Sequence, residues 1–218
     1  MKKIILTLLL FCGLLASSFA AVGCDLNDPD RDILRIGAFY GTAPGPRLTY
    51  KTEYLSLTKL GGEKTLRAVE ERLGDKFSGL YETIDVPYTL YTLYQGDQII
   101  GYIHGINQKG KYGGLQVFLA YDTAGSIKHF YYQKLTSRQA AELRSPEFAA
   151  QFSGLSLQDF LNYAVQTGSG GSSKVQAIKN PSPEDAADFQ ATLRAVKKNL
   201  ILMDIFVFNK SQSISKGD

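Results

Sequence analysis

Residues 88–133 read YTLYTLYQGDQIIGYIHGINQKGKYGGLQVFLAYDTAGSIKHFYYQ, and this stretch decides the fold. Tyr88–Tyr94 contains only aromatic residues, Thr and Leu, types that suit extended chain. Gln95-Gly96-Asp97-Gln98 supplies turn chemistry, and Ile99–Ile106 returns. A Gly-rich connection from Asn107 to Gly114 leads into a third run, Leu115–Tyr121. Asp122-Thr123-Ala124-Gly125-Ser126 then turns the chain into a fourth, Ile127–Gln133. Short β-rich runs at roughly ten-residue spacing, separated by Gly-bearing turns, predict an antiparallel meander.

On the C-terminal side the period changes. Ser137–Arg144 and Pro146–Phe152 read as short helices, and Ser156 is a suitable N-cap for a helix over Leu157–Val165. Thr167–Ser173 is a Gly/Ser-rich link, followed by a short predicted strand, Lys174–Ile178. Pro183–Leu202 is predicted helical, with Phe189, Leu193, Val196 and Leu200 on one apolar stripe. On the N-terminal side, Gly62–Gly74 carries Leu66, Val69 and Leu73 at helical spacing and stops at a glycine. Leu48–Leu60 reads as a strand, preceded by a loop at 41–46 (GTAPGP). Strands followed by helices predict an α+β domain, an antiparallel β-meander packed against C-terminal helices.

Lys2 and Lys3 precede an apolar run, Ile4–Leu15, and then small residues up to Cys24. This is the layout of a secretory signal peptide. The run falls short of the ~20 residues that span a bilayer. Two cut points are open. Ser18-Phe19-Ala20 suits ordinary signal peptidase, whereas Ala21-Val22-Gly23-Cys24 resembles the lipobox of bacterial lipoproteins, with Ala21 where Leu is usual. Cys12 leaves with the signal, so Cys24 becomes the lone cysteine of an exported chain and has no intramolecular disulfide partner. Acylation of Cys24 accounts for it and implies a lipid bilayer as partner. Asp25 directly after the cysteine resembles an inner-membrane retention signal. Asp25–Asp32 (DLNDPDRD) reads as a polar tether. The expected organisation is therefore a signal peptide over 1–23, a tether and N-terminal extension over 24–60, and a domain over 61–210.

The chain of 218 residues has room for one domain plus an extension. Removing Lys2 and Lys3 from 24 basic residues leaves 22 against 21 acidic, a net charge of +1. That balance excludes nucleic-acid binding driven by bulk charge. His104 and His129 sit on predicted strands without the further ligands a metal site needs, so no metal is expected. No Gly-x-Ser-x-Gly elbow, Walker loop or dinucleotide fingerprint is present, and no catalytic residue is assigned.

Four segments in order resemble the bacterial FMN-binding domain, found in periplasmic subunits of sodium-pumping NADH:quinone reductase and in regulators of nitrous-oxide reduction. They are Tyr91–Tyr102, Lys109–Val117, Tyr121–Ile127 and Leu143–Gly154. The resemblance spans about 120 residues and implies an FMN-binding-domain-like fold. It also implies a flavin ring against Lys111, Tyr112, Gly113 and Gly114, with Tyr112 stacking. The same Gly-rich loop serves equally well as a plain hairpin connection.

The family's acceptor motif is replaced. Aligned on Ala177-Ile178, Ser182 falls on the position that is esterified to FMN, and Lys179-Asn180-Pro181 replace Ser-Gly-Ala. Pro181 and Pro183 flank Ser182 and remove two amide donors, which argues against a covalent flavin. Ser182 also suits the N-cap of the last helix, where a noncovalent FMN phosphate is expected to sit. Two functional expectations follow. One is a membrane-anchored electron-transfer module with noncovalent FMN in an envelope redox complex. The other is a flavin-free relative serving as a binding or assembly subunit. A stand-alone envelope enzyme has no motif behind it.

Overall fold

The computed structural model describes residues 24–41, 47–79, 81–184 and 186–209, so the signal segment and most of the 41–46 loop lie outside it. Helix α1 (Pro29–Gly37) runs into a 3-10 turn over Ala38–Tyr40, then strand β1 (Leu48–Leu55), a second 3-10 turn and helix α2 (Glu63–Leu73). Strands β2 (Tyr88–Gln95), β3 (Gln98–Lys109), β4 (Gly114–Tyr121) and β5 (Ile127–Leu135) follow. Next come α3 (Ala140–Leu143), α4 (Pro146–Ala150), α5 (Leu157–Phe160), the small hairpin β6 (Tyr163–Ala164) and β7 (Ser169–Gly170), and α6 (Ser173–Gln176). The long helix α7 (Ala187–Met203) ends in a π-helical turn over Asp204–Phe208. The five large strands form one antiparallel sheet in the order β1-β2-β3-β4-β5.

The fold is α+β, with the C-terminal helix packed on the sheet. Both faces of the sheet are covered, which explains why Tyr88 to Leu93 are all buried, with no alternation of buried and exposed positions. Leu90, Ile106, Val117, Leu119 and Phe130 point to the main core, where Leu193, Val196 and Leu200 of α7 meet them. Tyr91, Leu93, Ile103, Phe118 and Ala120 alternate onto the other face, where Ile33 and Ile36 of α1 close a second cluster. Gly101 permits a close approach on this side. A Cβ there would lie 2.3 Å from the Tyr40 ring, whose hydroxyl donates to the Tyr121 carbonyl at 2.8 Å.

The polar segment expected to be a tether is a docked helix instead. Asp28 caps it by accepting from the Arg31 N–H, and Pro29 occupies the first turn, where its missing N–H is harmless. Leu26, Ile33 and Ile36 bury themselves against the sheet, and β1 lies inside the same sheet, so the folded unit begins well before residue 61. Strand β1 ends at Leu55, short of the expected Leu60. The strand expected over 174–178 is a helical turn, α6, because the Ser172 hydroxyl caps it by accepting from the Val175 N–H. The helix expected over 157–165 stops at Phe160, where the Ser156–Asp159 capping box gives way to the β6–β7 hairpin.

Candidate functional site

The Gly-rich connection between β3 and β4 folds on itself, with the Gly110 N–H donating to the Gly113 carbonyl at 2.8 Å. Asp188, in the first turn of α7, accepts from the Lys111 N–H at 2.7 Å. The loop and the start of the last helix therefore meet, as the two halves of a shared site would. Around Tyr112, the Lys111 ammonium lies 5.2 Å and the Arg138 guanidinium 4.9 Å from the ring centroid. Ser182 does not cap the helix. Helix α7 begins at Ala187 with Ala186 as N-cap, and the buried Ser182 donates its N–H to Asn180 Oδ1 at 3.0 Å.

The glycines of the loop are closely packed by the chain itself. A Cβ at Gly113 would meet Thr136 at 2.8 Å, and one at Gly110 would meet Asp188 Oδ1 at 2.6 Å. The glycines are thus required by the chain's own packing. A phosphate at the start of α7 would face the carboxylate of Asp188, 1% exposed, whose Oδ2 finds no hydrogen-bond partner among the described residues. An unsatisfied carboxylate oxygen calls for a donor and repels an anion.

A buried polar layer, not anticipated from the sequence, joins α7 to β3. Arg194 donates to both oxygens of Glu82 at 2.6 and 3.1 Å and to Asp75 at 2.8 Å. Lys198, fully buried, donates to Glu82 at 2.6 Å and to the Asn107 carbonyl at 2.8 Å. Burial raises the Glu82 carboxyl, but Lys198 and Arg194 more than offset this and hold it below its ordinary value. At the next residue, Asn199 Nδ2 donates to the His104 carbonyl, which turns Oδ1 toward His104 Nδ1 at 2.6 Å and Tyr121 Oη at 2.9 Å. His104 is therefore the Nδ1–H tautomer, and its Nε2 is a buried acceptor without a partner among the described residues. Burial pushes His104 down to about 4, against the opposing bond from Asn199. The sequence signal for this layer was Arg194-x-x-x-Lys198, one helical turn apart beside the apolar stripe. The layer buries Lys198 and His104 completely and leaves Arg194 and Asp75 partly exposed at its rim. It locks the helix onto the sheet.

Cys24 is 2% exposed and packs in the second cluster beneath α1. The segment after it is fastened to the sheet. Asp25 accepts from the Thr89 hydroxyl, the Leu26 N–H donates to Tyr91 Oη at 3.0 Å, and the Asn27 N–H donates to Gln133 at 2.9 Å. Among the described residues no group of His, Cys, Asp and Glu is placed to hold a metal ion. No protein-family model matches the chain, and a search of curated proteins finds no match either.

Proposed function

We propose that this chain is an exported lipoprotein, anchored through Cys24, whose α+β domain is a flavin-free binding or assembly module of an envelope complex. The observation carrying the flavin-free reading is that Gly110 and Gly113 pack against Asp188 and Thr136 of the chain itself, while Asp188 presents a carboxylate oxygen without a partner among the described residues at the start of α7. Support for the anchor comes from the lipobox-like Ala21-Val22-Gly23-Cys24. Among the described residues no helix is long and apolar enough to cross a membrane, so attachment in this reading rests on the acyl chains. Cys24 is 2% exposed, so in this reading acylation requires the residue to turn off the sheet face, with the Leu26–Tyr91 bond holding the chain behind it. Asp25 beside the cysteine favours retention at the inner membrane.

The anchor is tested by fractionation. Cys24→Ser is expected to move the protein from the membrane to the soluble fraction, and mass spectrometry of the wild type to show an acylated N-terminal Cys24. A soluble wild type with an unmodified N-terminus at Ala21 sinks the proposal.

A second reading keeps noncovalent FMN and electron transfer, favoured by the Asp188–Lys111 contact that brings loop and helix together. Titration of the protein with FMN, followed by fluorescence quenching, separates the two. The flavin-free reading expects no saturable quenching up to hundreds of micromolar. Saturable quenching that is lost in Tyr112→Ala, with the circular dichroism unchanged, installs the flavin reading in its place.

A further inference from the structure

A cleft of about 590 Å³ lies between α1 and the α3–α4 segment, floored by β5. Arg31 and Arg35 line one wall and Arg144 the other. Their donors are far from saturated. Arg31 comes no closer than 3.7 Å to Asp28 and 3.9 Å to Asp32, and Arg35 stands 3.5 Å from Asp32. Arg144 spends one N–H on the Tyr132 carbonyl at 2.6 Å, which fixes the guanidinium and leaves the rest of its fork open. With Asp32 as the acid that lines the cleft, the local balance is two positive charges in excess.

The rest of the lining is aromatic. Phe39, 46% exposed, stacks on His129 with centroids 3.8 Å apart and planes 13° from parallel. Burial, and then Arg35, push His129 down to about 4, so at neutral pH it offers a flat uncharged ring. Paired guanidiniums from two separate elements beside an apolar ring suit an anion with several terminal oxygens and an apolar body. The edge strand itself is not free for pairing. Phe130 and Tyr132 are buried, and Ile127 already exchanges hydrogen bonds with Gly154 and Leu155.

We propose that this cleft binds a phosphate ester, held by Arg31, Arg35 and Arg144, with its apolar part against Phe39. Two sources supply that chemistry, an anionic phospholipid headgroup and a soluble aromatic phosphomonoester. The proposal supplies a ligand class for the binding module proposed above and rests on that reading. It does not depend on the anchor, because the assay uses the Cys24→Ser protein.

The full exported chain carrying Cys24→Ser is titrated with phenyl phosphate by calorimetry. Separately it is floated with vesicles of phosphatidylglycerol and of phosphatidylcholine. Saturable phenyl phosphate binding that Arg35→Gln and Arg144→Gln each weaken at least about 10-fold supports the site, a loss in keeping with charge-assisted hydrogen bonds. Flotation with phosphatidylglycerol alone, lost in the same variants, supports the site with lipid as the source. Lys51→Gln on β1 is the charge control and leaves either signal unchanged. Thermal melts of the variants, expected to match the parent, separate lost binding from lost folding. Two outcomes overturn the proposal: no binding to either probe at millimolar concentration, or binding that both arginine variants retain.

Discussion

His104 enters the folded state uncharged, and the consequence is a pH dependence of known sign. Its folded value is pushed down to about 4, whereas the unfolded chain takes up the proton below its ordinary value of 6.5. Stability is therefore full above pH 6.5 and is lost as pH falls from 6.5 toward 4. The shift corresponds to a loss on the order of 3 kcal/mol. His129 is displaced in the same direction, so His104→Gln is expected to flatten only part of this acid limb. Denaturant midpoints measured between pH 7 and 4 check it, and parallel curves for variant and parent count against the buried neutral imidazole. Glu82 carries a second consequence. Glu82→Gln strands the fully buried Lys198 ammonium and is expected to destabilise the fold by about 3–5 kcal/mol. Adding Lys198→Met should restore much of that stability. A neutral single variant would show that Lys198 reaches solvent.

At the scale of elements, the helices on the two faces of the sheet are tested by truncating one residue on each. Leu193 is 4% exposed in the main core and Ile36 is fully buried in the second cluster. Leu193→Ala and Ile36→Ala are each expected to cost about 2–5 kcal/mol in chemical denaturation. A change below about 0.5 kcal/mol for Ile36→Ala means that the segment after Cys24 is a tether after all. The contrast between α7 and α1 shows what made one helix readable and hid the other. Phe189, Leu193, Val196 and Leu200 recur over about three turns, so the periodicity stands out. In α1 two isoleucines face the sheet among Asp30, Arg31, Asp32 and Arg35, and the Asp28-Pro29 start signal was read as linker composition. The four strands of the meander were readable because Gly-bearing turns separate them. Helix α6 was not, since a single capped turn leaves no period to detect.

On the scale of the whole molecule, the parts of the sites follow the same logic. The Lys111–Gly114 loop was visible as a local run of glycines, and its nearness to α7 depends on Asp188, a contact 77 residues away in sequence. Arg31, Arg35 and Arg144 come together only because α1 and the α3–α4 segment flank the same edge strand. No local pattern links residue 31 to residue 144, so a reader of the sequence had no reason to group them.

The fastening of Asp25, Leu26 and Asn27 to the sheet has a consequence for reach. A flexible leash of 30 residues would let a domain wander about 30 Å from its point of attachment. Here the bonds to Thr89, Tyr91 and Gln133 leave almost no slack between Cys24 and the folded body. With acyl chains on Cys24 as proposed, the domain would diffuse as a raft-like body pressed to the lipid, searching in two dimensions. Its partners would then have to present their docking surface close to the bilayer plane.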